Sequence, residues 1–427
     1  MCTRFIAKAD TPLRIGVIGA GPGGLSTALA LQKYLPDADV KVFERKQGNV
    51  PNIGGGLQVN GGAAALATLG LEEEIAKTGT SLQRVLSRKV GGGTLVDLDI
   101  NKLLRARAKS TLVSKKSGDV YAYMIMRDAL NDILAAPLAS DTIQHNKALE
   151  TIKNLPSGEV QCSFVDGETA TFDLLVGCDG VSSVVRRHVV GSDNAFYSGI
   201  RCRFAVADNK GGSEVRPPSD VGMVEQWFGD GCYAFLATYG GNKGKDQHHT
   251  LILVEEDRAT SFGENPDYSP SSGTSRESMV ATMREKGIPE RLIEVVEASD
   301  RTFETGVHVH NPLVRWSRGR AVLLGDAAHA MPPFLGQGAN QSIQDALCLA
   351  QQLAKNTGSV DAALSAYERK RKLHTTKLAV NSWVVGALET RGGAGAAFRD
   401  GFVSTLASVG VLERVFVDGA VPVGVDL

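Results

Sequence analysis

Gly19-Ala20-Gly21-Pro22-Gly23-Gly24 stands between a short apolar run, Leu13 to Ile18, and an Ala- and Leu-rich stretch, Leu25 to Tyr34. The run reads as a strand and the stretch as a helix. A second strand, Asp39 to Phe43, follows and ends on Glu44. Strand, glycine turn, helix and strand in this order define a unit of a parallel sheet that binds phosphate at the turn. Gly19 permits the tight turn, Gly21 lets a pyrophosphate approach the backbone, and Gly24 lets the helix pack on the strand. The helix N-terminus offers free N–H groups and a positive dipole end. Glu44, 20 residues beyond Gly24, is placed to accept hydrogen bonds from ribose hydroxyls. The pattern favours a dinucleotide without separating NAD from FAD.

Two later segments repeat the form of a short apolar strand stopping at an acid: DLLVGCD, ending at Asp179, and RAVLLGD, ending at Asp326. Such strands belong in a parallel sheet buried on both faces, with ligands beyond their carboxyl ends. Asp179 opens the motif Asp179-Gly180-Val181-Ser182-Ser183-Val184-Val185-Arg186, which reads equally as a turn with a helix cap, since Asp and Ser both cap well. Asp326 opens Gly325-Asp326-Ala327-Ala328-His329, continuing through Pro333, Gly336, Gln337, Gly338, Ala339 and Asn340 into a helix with Ile343, Leu347, Ala350 and Leu353 on one face. That helix N-terminus suits an anion such as the pyrimidine edge of a reduced flavin.

At 427 residues the chain exceeds one simple core and calls for two or three packed lobes. Its net charge of −1 gives no drive toward nucleic acid or anionic membrane. The six cysteines form no CxxC pair and no cluster with histidine, which argues against zinc and against a disulfide framework. No apolar stretch approaches the ~20 residues of a membrane span. The dozen residues before the first strand leave no room for a signal peptide, so a cytoplasmic location is expected. From about 195 to 305 the texture turns to alternating strands, among them Gly231 to Tyr239 and Thr250 to Glu255, which suggest an antiparallel sheet. Its connections at 209–220 and 261–278 are polar and rich in Pro, Ser and Gly, and are expected to be mobile. After Gln337 two helical stretches, a Gly/Ala-rich break (RGGAGAA) and a short tail follow. The basic run Lys102 to Lys116 reads first as a solvated face and second as a partner for an anionic cofactor.

The ordered set GxGxxG, DGxxSxxR and GDAAHxxxPxxGQG resembles the single-component flavin hydroxylases built like para-hydroxybenzoate hydroxylase, and within them the salicylate hydroxylase and zeaxanthin epoxidase branch. The match spans about residues 13 to 375, and Arg127 with Leu130 and Leu134 also fits the family's Arg-x-x-Leu helix. The resemblance implies an α/β fold: a Rossmann-like FAD-binding domain, an antiparallel substrate-binding sheet and C-terminal helices. It places the FAD domain at 1–80, 115–190 and 306–375, the substrate domain at 81–114 and 191–305, and the helical segment at 376–427. It implies FAD and NAD(P)H as cofactors, with O2 and a small organic molecule as substrates. One oxygen atom would pass from a flavin C4a-hydroperoxide to an electron-rich aromatic or unsaturated carbon.

Carried over by residue, the resemblance gives Gly19, Gly21, Gly24, Glu44 and its neighbour Arg45 to the ADP half of FAD, and sends Arg127 to the flavin side chain. Asp326 would bind the ribityl chain. Pro333, Gly336, Gly338, Ala339 and Asn340 would border the isoalloxazine ring. Asp179 and Arg186 would serve both FAD and the transient NAD(P)H. His329 would be structural, no catalytic side chain is assigned, and no metal is implied. The chain departs from the family at Gly56 to Gly62, where relatives carry a Pro-Asn, and at Gln344-Asp345, where they often show Glu-Asp. In the strand Cys232 to Tyr239, period-two alternation puts Tyr233, Phe235 and Tyr239 on one face, either as a substrate wall or as core. A prenyl-type flavin reductase of the same fold and a catalytically silent FAD-binding regulator are the alternative functions.

Overall fold

The computed structural model describes residues 12–48, 55–107, 109–191, 195–210, 221–240, 246–257 and 275–427. A six-stranded sheet runs in the order Ser317–Arg318, Ala321–Leu323, Leu174–Gly177, Arg14–Ile18, Asp39–Phe43, Ile143–Gln144. All its pairings are parallel except the short edge pair Ser317–Arg318 with Ala321–Leu323. The central strands are apolar on both faces, with Ile15, Val17, Leu174, Val176, Val322 and Leu323 wholly buried, as parallel strands between helix layers must be. Register aligns Ile18 with Gly177 and Gly177 with Leu323. The three motif loops therefore leave the sheet side by side at its carboxyl edge.

A seven-stranded sheet forms the second layer, in the order Arg301–His310, Ala195–Lys210, Asp246–Glu256, Cys232–Tyr239, Met223–Phe228, Arg84–Lys89, Thr94–Asp99. Its pairings are antiparallel apart from Met223–Phe228 with Arg84–Lys89. Helices Arg276–Glu285 and Glu290–Glu297 cover one face, packing Met279, Met283, Leu292 and Ile293 on Ala205, Ala234, Leu236 and Leu251. The opposite face turns toward a small three-stranded sheet, Gly56–Asn60, Ala122–Met126 and Thr80–Ser81, and toward the third motif. Tyr239 lies so close over Gly56 that a Cβ there would stand 2.1 Å from its ring.

Three expectations change. The boundary at 375/376 falls inside one unbroken helix, Val360–Glu389, because no proline or turn signal interrupts that stretch. The boundary at 305/306 falls inside the strand Arg301–His310. The Gly/Ala-rich break is present, since the helix Val360–Glu389 ends before it and Ala394–Ser408 begins within it, but the short tail expected after it is helical, Ala394–Ser408 and Val411–Ala420. The polar connections at 209–220 and 261–278 lie largely outside the described residues. The basic residues Lys102, Arg105, Lys115 and Lys116 are exposed. Among the described residues no helix is long and apolar enough to cross a membrane.

Candidate functional site

The first motif forms a cradle. Gly19 has φ +99°, a conformation that glycine adopts without strain, and its N–H donates to Phe43 O at 2.8 Å. A Cβ at Gly24 would stand 1.9 Å from Gly19 O, so the helix Pro22–Tyr34 can start this close to the turn only with glycine there. Space is open in front of Gly21, where the nearest atom to a Cβ would be Arg127 Nη2 at 4.0 Å. The helix has no side-chain cap and no acid in its first turn, which leaves its N–H groups available to phosphate. Glu44 closes the cradle, accepting from Ala20 N–H at 2.8 Å and Lys46 N–H at 2.9 Å. A carboxylate has about four acceptor positions, so capacity for a ribose remains. Arg45 is exposed beside it.

In the second motif Asp179 turns inward. Its carboxylate accepts from the Ser183 hydroxyl at 2.5 Å and the Val184 and Val185 N–H groups at 2.7 and 3.2 Å, capping the helix Val184–Val190. Burial pushes its pKa above the ordinary carboxylate value, against the pull of Ser183 and these amides. Arg186 is fully buried, and its Nη1 donates to Ala327 O at 2.9 Å and Ala328 O at 3.2 Å. Its placement is that of a brace between the second and third motifs.

The third motif completes the frame. Asp326 is exposed at the carboxyl edge of the sheet, and a Cβ at Gly338 would stand 3.6 Å from its Oδ1. The carboxylate and the start of the Gly338–Lys355 helix thus face the same space. Pro333 is exposed, while Gly336 turns the chain with φ +62°, and Ala339 is half-buried. Asn340, wholly buried, donates to Gln58 O at 2.8 Å and accepts from Gly62 N–H at 3.1 Å. The segment Gly56 to Gly62, where the chain departs from its family, is therefore clamped onto the third motif. His329 Nε2 pairs with Asp345 at 2.6 Å, and Arg371 Nε binds the other oxygen of that carboxylate at 2.6 Å. All three are buried, under the loop rather than facing the open space.

The motifs fit FAD in this arrangement: an uncapped helix start at an open glycine cradle, Arg127 across from it, and Asp326 beside a second uncapped helix start.

Tyr233, Phe235 and Tyr239 do share one face, but differ in exposure. Tyr233 and Tyr239 are buried, whereas Phe235 is half-buried. Register places Phe235 opposite Gln226 on one side and Ile252 on the other, and Ile252 opposite Phe204. All four are half-buried. This stripe across four strands lies on the face that packs against the third motif, whose Phe334 ring lies 6.2 Å from that of Tyr233. Gln226, Ile252 and Phe204 carry no sequence signal, because only cross-strand register aligns them.

Comparison with known proteins agrees. The family described as "FAD binding domain" matches residues 13–227 and 243–382. The chain belongs to this family, and its fold and motif loops are those of an FAD-dependent monooxygenase of the para-hydroxybenzoate hydroxylase type. It is 30% identical over 374 residues to 3-amino-4-hydroxybenzoate 2-monooxygenase of Streptomyces cremeus, covering 86% of each chain. It is 29% identical over 380 residues to the chloroplastic zeaxanthin epoxidase of Prunus armeniaca, covering 84% of this chain and 53% of that longer protein. Klebsiella pneumoniae HpxO, crystallised with FAD and uric acid, superposes with a TM-score of 0.79 at 21% identity, over 96% of this chain and 97% of that one.

Proposed function

We propose that the protein uses NAD(P)H and O2 to insert one oxygen atom into a flat, electron-rich aromatic substrate lying on the Gln226–Phe235–Ile252–Phe204 stripe. Bound FAD would supply the electron transfer and oxygen activation. The chain's own part is to hold, orient and exclude water. Arg127 and the first helix start would take the pyrophosphate, Glu44 and Arg45 the ribose end, Asp326 the ribityl chain, and Pro333, Gly336 and Gly338 to Asn340 the ring edge. Asp179 and Arg186 act at one remove, by fixing the loops that carry those groups.

The observation that carries this reading is the half-buried stripe in the same apolar cluster as Phe334 of the third motif. Phe204 and Phe235 there can stack on a planar ring, at about 0.5–1.5 kcal/mol per pair beyond burial. The 3-amino-4-hydroxybenzoate on which one relative acts and the uric acid bound by the Klebsiella protein are flat polar rings. The test is a screen for compounds that accelerate NAD(P)H oxidation, with product mass measured under labelled O2. Stimulated oxidation without label in any product would favour the reductase reading, and no stimulation at all the silent regulator.

A further inference from the structure

In the helix Val360–Glu389 the usual placing of polar and apolar side chains is reversed. Its inner positions, taken every third or fourth residue, are Arg371, Thr375, Leu378, Ser382 and Gly386, all buried. On the same spacing its outer positions are Arg369, Leu373, Lys377, Val380 and Val384, all exposed, with Trp383 at their edge. Leu373 is 66%, Val380 49%, Trp383 53% and Val384 45% exposed. A helix shaped only by burial turns its apolar stripe inward. Here Arg371, Thr375 and Ser382 face in while Leu, Val and Trp side chains face water. A lone exposed apolar residue means little. Among the described residues, however, most of the exposed large apolar side chains lie between Leu373 and Val411, so the exposure is regional.

The charges on this stretch have one sign. From Arg369 to Phe398 the exposed charged residues are Arg369, Lys370, Lys377 and Arg391. The single acid there, Glu389, stands at the helix end with its Oε2 closed off from solvent. The chain's net charge of −1 does not reveal this local excess. A second copy docking through the same patch would bring like charges together, because a two-fold contact repeats one surface on both sides. An anionic lipid surface meets both features at once. Leu373, Val380 and Val384 can enter the acyl boundary, and the lysine and arginine stems can carry their charges out to the headgroups. An indole such as that of Trp383 favours the boundary between apolar and wet surroundings.

We propose that the outer face of Val360–Glu389 docks the protein on the surface of an anionic bilayer, with Leu373, Val380, Trp383 and Val384 as the apolar contact and Arg369, Lys370 and Lys377 as the headgroup contact. The helix lies on the membrane and does not cross it. Its inner face carries the third motif: Ser382 Oγ donates to Pro332 O at 2.6 Å, and Phe334 packs so close to Gly386 that no side chain fits there. A docked helix therefore holds that loop about one helix diameter, roughly 10–12 Å, from the lipid.

The test is co-sedimentation of the FAD-loaded protein with vesicles of phosphatidylcholine alone and of phosphatidylcholine mixed with phosphatidylglycerol, at low and high salt. Binding to the anionic vesicles only, weakened by salt, is the expected result. Lys377→Glu should weaken it about 5-fold or more, and Val384→Asp about 10-fold or more. Both variants should keep the wild-type Tm and FAD content, because both side chains are exposed. Tryptophan emission should shift to the blue on binding, and Trp383→Phe should remove the shift. The other two indoles cannot supply it, since Trp316 is buried and Trp227 lies between Arg88 and Arg291. Equal binding to neutral vesicles, or anionic binding untouched by both charge variants, would overturn the proposal. Binding to neither, with a dimer in sedimentation equilibrium that Val384→Asp splits, would assign the face to a second copy instead. Substrate-stimulated NAD(P)H oxidation is measured without vesicles, so the monooxygenase reading stands or falls separately.

Discussion

The Arg186 guanidinium donates to the carbonyl oxygen of Ala327 at 2.9 Å, tying the helix after one central strand to the turn after the next. Arg186→Ala should therefore act on the frame. We expect a loss of roughly 1–3 kcal/mol for each buried carbonyl left without its donor, read as a lower Tm and faster FAD release. The FAD-loaded fraction should be reduced by NAD(P)H at the wild-type rate in anaerobic stopped-flow. Slowed reduction with a normal Tm would instead make Arg186 a cofactor contact.

Asp326 and Gly21 should behave in the opposite way, because both face open space. Asp326→Ala is expected to weaken FAD by about 10- to 100-fold, the equivalent of roughly 1.5–3 kcal/mol for a charge-assisted hydrogen bond, with little change in the Tm of the apoprotein. Gly21→Val should abolish binding by filling the phosphate cradle. Fluorescence titration of the apoprotein with FAD checks both, and normal affinity in either variant would remove that residue from the site.

Phe235 and Tyr239 separate wall from core on a single strand. Tyr239, 1% exposed, supports Gly56, and Tyr239→Ala should cost about 3–5 kcal/mol, as for other large buried rings. Phe235→Ala should leave Tm near normal and divert NAD(P)H toward hydrogen peroxide. Thermal melts and a peroxide assay distinguish them; a large melting loss with intact coupling at Phe235 would assign it to the core.

Asp345 binds His329 and Arg371 in the interior. Burial alone would raise its pKa, but Arg371 and His329 outweigh it and hold the carboxyl below its ordinary value. A depressed folded pKa stabilises the fold above the unfolded value of about 4. That contribution is lost as pH falls through the lower folded value, so acid unfolding should begin below about pH 4. Asp345→Asn should cost roughly 3–5 kcal/mol at neutral pH by leaving a buried cation without its counter-charge. An unchanged acid transition in denaturation curves would contradict this.

The central strands, the glycine turn and the order of the motifs were legible because each is a local pattern. Strand Asp39–Phe43 has the bounds read from its apolar run, and Gly19 has the positive φ its turn requires. Less legible was the direction of a side chain. Asp179 caps a helix, a reading its motif already offered, whereas Arg186, of a type that suits phosphate, grips two carbonyls. In the C-terminal region the glycines do mark a break between helices, whereas the short tail expected after it is two further helices.

By itself the sequence determined the parallel sheet, the glycine turn and the family, because backbone conformation and strand burial depend on neighbouring residues. Tertiary structure alone decided what lies over the site. Gln226, Phe235, Ile252 and Phe204 come from four strands between residues 195 and 256 and meet only through cross-strand register. Phe334 meets the far end of the helix Val360–Glu389 because Gly386 lets that helix settle on it. Such contacts are set by how separate elements pack, and no local spacing encodes them.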